Sequence, residues 1–332
     1  MWYLSGSVGA VEAHLYADAS GGVVLRGETG LQVAALLRQQ GWTGRLWLDP
    51  AVYERPGNAS DHTLFGDRWA VTQAELGVTE VLSPGAYVAE SDREGLDRAI
   101  EDQRSWLGQV GQGRLSLALH SRWLSSDVGY LIQRLRDLAE PLAIALADPN
   151  DPLGHAGAVA GYVELIRGVP GLMLLRGDLG AVGGVANGAE HGAIGTSTTV
   201  RHAVPPGKRG GGVPGDRTPS IFLRDTLAFR LGSFLDQLPR NAVPSCDLAC
   251  CLGARLSRFN DERLAAEARL HNRLTVQSVI DEVLRRAPTA RPNAFRSMCE
   301  EAVVATEALS SAARRVIAPS PQLIAWAGLR PR

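Results

Sequence analysis

Between residues 20 and 203, short apolar runs alternate with longer stretches of helical spacing, and this rhythm restricts the possible folds more than any other feature of the chain. The runs are Gly22–Arg26, Arg45–Asp49, Glu80–Ser83, Arg114–His120, Leu142–Ala147, Leu172–Arg176 and His191–Gly195. Most are continuously apolar, the pattern of parallel strands buried on both faces. Helical spacing fills the intervals at Leu31–Gln40, Asp92–Val110, Asp127–Glu140, Ala156–Arg167 and Leu179–Gly188. Strand, helix and strand in repeated succession form βαβ units. Seven runs and a possible eighth strand in the first twenty residues predict a (β/α)8 TIM-type barrel over residues 1–205. A doubly wound open sheet is the alternative. No G-x-G-x-x-G follows the first strand, so neither a nicotinamide nor a flavin dinucleotide site is expected.

The texture changes after His202. Residues 206–220 are rich in glycine and proline and read as an exposed loop and candidate lid. Residues 221–332 read as a helical part, with helical spacing over Ile221–Leu238, Leu256–Arg286 and Ala294–Val316. No apolar run approaches the roughly 20 residues needed to cross a bilayer. The N-terminus lacks the basic and apolar segments of a signal peptide, so a cytoplasmic protein without a membrane partner is expected. Of the 34 basic residues, Lys208 is the one lysine, and it lies in the Gly-rich loop rather than an apolar pocket. Schiff-base chemistry on pyridoxal phosphate is therefore not expected. A net charge of −1 argues against strong non-specific binding to nucleic acid, although a local arginine patch remains compatible with it.

In a parallel barrel, chemistry gathers where the strands end. The ends supply Arg26 and Glu28; Asp49 and Arg55; Ser83 and Tyr87; His120 and Arg122; Asp148, Asn150 and Asp151; Arg176 and Asp178; then Thr196, Ser197, Arg201 and His202. So many ionisable groups suit a polar ligand and proton transfer. Asp49, Asp148 and Asp178 are the catalytic candidates, and His120, Arg176, Ser197, Arg201 and His202 the substrate-binding ones. Each has a plainer explanation. Asp49-Pro50 and Asp148-Pro149 suit turns, Arg176 and Asp178 suit a mutual ion pair, and His120 suits a satisfied core position. The hydroxyl-rich segment 195–199 with Arg201 also suits a phosphate.

Cys246, Cys250 and Cys251 fall within six residues and are followed by His271-Asn272 in a helical stretch. Thiolates and an imidazole are the ligands of a structural zinc ion, and these four residues are the candidate set. Both adjacent cysteines can ligate one ion only if the chain turns between them.

The cysteine loop and Arg269-Leu270-His271-Asn272-Arg273-Leu274 resemble the C-terminal zinc subdomain of the tRNA-guanine transglycosylase superfamily. That subdomain reads C-x-C-x-x-C and then a helix with His-Asn. Cys246 and Cys251 stand at the first and third cysteine positions and Leu248 at the second, so Cys250 would replace the missing thiolate. The resemblance implies a (β/α)8 barrel with base-recognising aspartates at Asp49 and Asp148. The implied activity is exchange or cleavage of a base at an N-glycosidic bond, with a nucleic acid or nucleobase as partner and a homo- or hetero-oligomer as the assembly. Arg201, Lys208, Arg209, Arg255, Arg258 and Arg273 would provide a phosphate track. The family's nucleophilic aspartate before Pro-Thr-Arg has no counterpart in Ile194–Arg201, which leaves a non-catalytic, partner-binding relative as a second expectation. A third is a barrel enzyme for a small phosphorylated or carboxylated molecule, clamped by Arg176 and Arg201.

Overall fold

The computed structural model describes residues 2–5, 22–54, 67–78, 80–111, 113–195, 197–210 and 215–330. Arg55, Thr196 and residues 211–214 of the Gly-rich loop, all singled out above, lie outside the described residues. The chain divides into two compact units, Met1–Gly211 and Gly212–Arg332, with the division inside the expected loop 206–220.

The first unit holds an eight-stranded parallel sheet. Its strands are β1 (Trp2–Ser5), β2 (Val23–Arg26), β3 (Leu46–Asp49), β4 (Ala86–Val88), β5 (Leu115–His120), β6 (Leu142–Ala147), β7 (Leu172–Gly177) and β8 (His191–Gly195). They lie in the order β3-β2-β1-β8-β7-β6-β5-β4, so the first strand pairs with the last, Tyr3 opposite Ile194. Between the strands run α1 (Gly27–Gln39), α2 (Asp67–Glu75), α3 (Arg93–Val110), α4 (Trp123–Ser126), α5 (Val128–Leu135), α6 (Ala158–Gly168) and α7 (Leu179–Ala186). Among the described residues no hydrogen-bonded ladder joins β3 to β4, so the sheet carries eight parallel strands without a ladder across that pair.

Residue size sorts the two faces of the sheet. Along β6 every residue is buried, and Ala143, Ala145 and Ala147 turn to the face opposite Leu142, Ile144 and Leu146. On the alanine face, Ala143 packs in one cluster with Val24, Trp47, Leu82, Met173, Leu175 and Ala193, drawn from both halves of the sheet. Nearer the strand ends, Ala118, Ala145 and Ala147 pack with Ala51, Tyr53 and Ala203. Small residues leave room where several strands converge. At the opposite end of the strands, buried Arg114 bonds to Glu80, Glu190 and the carbonyls of Leu142 and Gly171.

Helices cover the other face. In α3, Leu96, Ala99, Ile100, Gln103 and Leu107 are buried at helical spacing, and the Asp92 carboxylate caps the first turn by accepting from the Gly95 amide at 2.8 Å. The third apolar run, Glu80–Ser83, lies differently from the expectation. Leu82 makes a single bridge to Arg114, and the strand resumes as Ala86–Val88 after Pro84, which has no N–H to give, and Gly85, which adopts φ +68°.

The second unit opens with an antiparallel hairpin, β9 (Ser220–Leu223) and β10 (Ala228–Leu231), where a helix over Ile221–Leu238 was expected; only α8 (Gly232–Asp236) is helical there. A tight turn over residues 224–227, with Leu227 at φ +45°, reverses the chain. The short ladder β11 (Ser245–Cys246) and β12 (Ala254–Arg255) brackets the cysteine loop. Then come α9 (Ala265–Leu284), α10 (Arg291–Ala313) and α11 (Pro321–Ala327). The expected helix over Leu256–Arg286 begins nine residues late, because 256–264 form two 3-10 turns. Among the described residues, no helix is long and apolar enough to cross a membrane.

Candidate functional site

In the second unit, Cys246, Cys250, Cys251 and His271 place one ligand atom each within 4.8 Å of one another. Leu252 at φ +51° and Gly253 at φ +83° wind the loop tightly, and the Gly253 amide donates to the Cys246 carbonyl at 2.8 Å. The turn between the adjacent cysteines brings their sulfurs to 3.6 Å, with His271 Nδ1 at 3.8 Å from Cys250 and 3.4 Å from Cys251. These separations match the edges of about 3.5–3.8 Å expected for a tetrahedron with Zn–S near 2.3 Å and Zn–N near 2.0–2.1 Å.

The fourth group is held from behind. His271 Nε2 lies 3.0 Å from the Phe222 carbonyl oxygen, to which it donates, leaving Nδ1 bare toward the thiols. Asn272 accepts from the Phe222 amide and donates to the Ser220 carbonyl, both at 2.7 Å, so the His-Asn pair fastens α9 to β9. Burial pushes the Cys250 thiol up to about 12 and the Cys246 thiol upward, and it pushes the His271 imidazolium down. Arg258 is not part of a free phosphate track: it bonds to Glu267, the Cys250 carbonyl and, at 3.6 Å, the Cys251 sulfur.

In the first unit, the strand ends carry a second, ionic cluster. Asp49 is fully buried with both oxygens engaged, accepting from the Ala51 amide at 2.9 Å and the Tyr53 hydroxyl at 2.7 Å. Glu54 pairs with both Arg26 and Arg176. Arg176 is wholly buried and also donates to the Thr199 carbonyl at 2.7 Å. Two of its guanidinium nitrogens are thus taken by the protein, and Nε is buried without a hydrogen-bond partner among the described residues.

Asp148 accepts from the Ser121 hydroxyl at 2.7 Å and the Asn150 amide at 2.9 Å, and its Oδ2 lies 2.7 Å from His155 Nε2. Burial opposes its ionised form, but these bonds outweigh it and hold the carboxyl below its ordinary range. Its neighbour Asp151 goes the other way. Burial first, and then the Asp178 carboxylate, push Asp151 up to about 7. Burial lowers Arg201 to about 10, with Asp178 opposing that change, and lowers His202, which lies within the field of Asp178, Arg176, Asp148 and Arg201.

Asp148, Arg176, Asp178, Arg201 and His202 therefore share one electrostatic neighbourhood, with Asp49 linked to it through Tyr53 and Arg176. For His120 and Ser197 the hydrogen bonds are local, to the Arg122 amide and the Thr199 hydroxyl. Glu54, Tyr53, Ser121 and His155 were not among the expected site residues. The one sequence signal for Glu54 and His155 was an ionisable residue following an Asp-Pro strand end by five and seven positions. No family model matches this sequence, and no curated protein matches it significantly.

Proposed function

We propose that the strand-end cluster binds a nucleobase and acts at its N-glycosidic bond, as a divergent relative of the tRNA-guanine transglycosylases. The observation that carries this reading is the unequal environment of two neighbouring carboxyls. The Asp178 carboxylate opposes the lowering of Arg201, and it joins burial in pushing Asp151 up to about 7. Two such carboxyls suit the two halves of glycosidic cleavage: Asp178 stabilises positive charge developing at the sugar C1′, and Asp151, which keeps its proton to higher pH, protonates the departing base. Asp49 and Asp148, with both oxygens of each engaged, position the turns around them and Tyr53 and His155.

The same reading makes the sheet a (β/α)8 barrel closed at the β3–β4 gap. Support comes from the β1–β8 pairing and from the apolar cluster joining Trp47 of β3 to Ala143 of β6. It also makes the Cys246, Cys250, Cys251 and His271 cluster a zinc site. The soft donor set fits zinc, which when bound would tie the loop to α9 and β9 as a structural element.

The test is release or exchange of bases from nucleosides, oligodeoxynucleotides and transfer RNA, followed by mass spectrometry with isotopically labelled free base. Asp178→Asn and Asp151→Asn should each lower the rate roughly 10²–10⁴-fold while the protein stays folded. Absence of release and exchange from all three substrate classes, by folded protein of known metal content, overturns the proposal.

A further inference from the structure

The segment between β6 and α6, residues 148–155, carries Asp148, Asp151 and His155 on one turn. We propose that His155 is a catalytic base of this site, working through Nδ1, and that Asp148 is the residue that positions it.

The geometry is that of an acid-oriented imidazole. His155 Nε2 lies 2.7 Å from Asp148 Oδ2, and that carboxylate is held in turn by Ser121 and the Asn150 amide. An acceptor already bound by two other donors is fixed in place, so it fixes the ring. Asp148 is nearly buried, whereas the His155 side chain keeps 27% of its surface. With Nε2–H given to Asp148, the neutral ring leaves its lone pair on Nδ1, which has no hydrogen-bond partner among the described residues.

The inference rests on the proposed function and supplies a step it otherwise lacks: removal of the acceptor's proton. As the C1′–N bond breaks, its electron pair leaves with the base nitrogen, which takes the proton of Asp151. A lone pair of the acceptor, a water oxygen or the nitrogen of an incoming base, forms the new bond to C1′. The acceptor's proton passes to His155 Nδ1, and the Asp148 carboxylate stabilises the imidazolium. His155, which lies within the field of Asp151, then returns that proton to it and resets both groups. No other reactant is needed.

Two measurements test this. In protein labelled with 15N-histidine, long-range 1H–15N correlations should show neutral His155 protonated at Nε2 and bare at Nδ1, and Asp148→Asn should erase that preference. A proton on Nδ1 in the wild-type protein overturns the dyad whatever the activity. In the base-release assay, His155→Ala should stay folded and keep KM, lose roughly 10²–10⁴-fold in kcat, and recover part of it with added imidazole. A wild-type protein that acts while His155→Ala stays within twofold, or is not rescued, overturns the base assignment alone. A folded wild-type protein that neither releases nor exchanges bases overturns the proposed function and this step with it.

Discussion

His271 gives its Nε2–H to the Phe222 carbonyl across 3.0 Å, so the imidazole that faces the three cysteines can do so only through Nδ1. Purified protein should therefore carry about one zinc per chain under the zinc reading. Cys251→Ala and His271→Ala should each reduce that content sharply, and chelation should lower the melting temperature by roughly 10 °C or more, since metal binding here would be folding free energy. Elemental analysis beside calorimetry decides the matter. Full stability in metal-free protein would remove the structural role.

Gly161 lies in α6, where alanine normally gains about 1 kcal/mol over glycine. Here a Cβ would stand 1.8 Å from the Leu124 carbonyl oxygen, on the backbone at the neighbouring α4. Gly161→Ala should cost about 1–3 kcal/mol instead. Gly108→Ala, at an exposed position of α3 where a Cβ meets nothing within 4 Å, should be neutral or stabilising. Urea unfolding of the two variants gives the comparison.

Glu54 is the counter-charge for a guanidinium with no exposed side-chain surface. Glu54→Gln should destabilise the protein by about 3–5 kcal/mol, because it strands Arg176 as a buried cation. Arg26 loses its partner in the same variant. Denaturant titration would show it, and a change under 1 kcal/mol would mean that the pairing contributes little.

Asp151 and Asp148 should leave opposite marks on the pH dependence of stability. Asp151 is raised from 3.8 to about 7, so folding favours its protonated form: its contribution is most favourable below about 4, declines as pH rises, and is fully unfavourable above about 7. Asp151→Asn should therefore gain up to a few kcal/mol at pH 8 and nothing near pH 3. Asp148 is lowered, so its contribution is complete above the unfolded value and disappears as pH falls through the folded one. Chemical unfolding at pH 3 to 8 resolves the two trends.

The sheet was legible where burial is complete. Leu142–Ala147 and His191–Gly195 were read to the residue, because a continuously apolar run bounded by polar residues admits one placement. The hairpin β9–β10 was not. Its apolar residues satisfy a helical period, and the turn at Arg224–Leu227 contains neither glycine nor proline to announce it. The cysteine cluster was legible because four soft ligands are rare and close in sequence. Glu54 and His155 were hidden for the opposite reason: what gives each its role is a buried partner that only the folded chain brings to it, Arg176 across 122 positions and Asp148 around a proline-bounded turn.

The pairing of Tyr3 with Ile194 also imposes an order on synthesis. The first strand leaves the ribosome long before the strand it must lie against exists. At about 5–20 residues per second, β1 waits roughly 10–40 s for β8. Throughout that interval β2 can pair with β1 and β3, but β1 keeps one open backbone edge, which is the template on which other chains add strands. A nascent chain stalled before residue 191 would carry that edge exposed, whereas one stalled after residue 195 has the sequence to cover it.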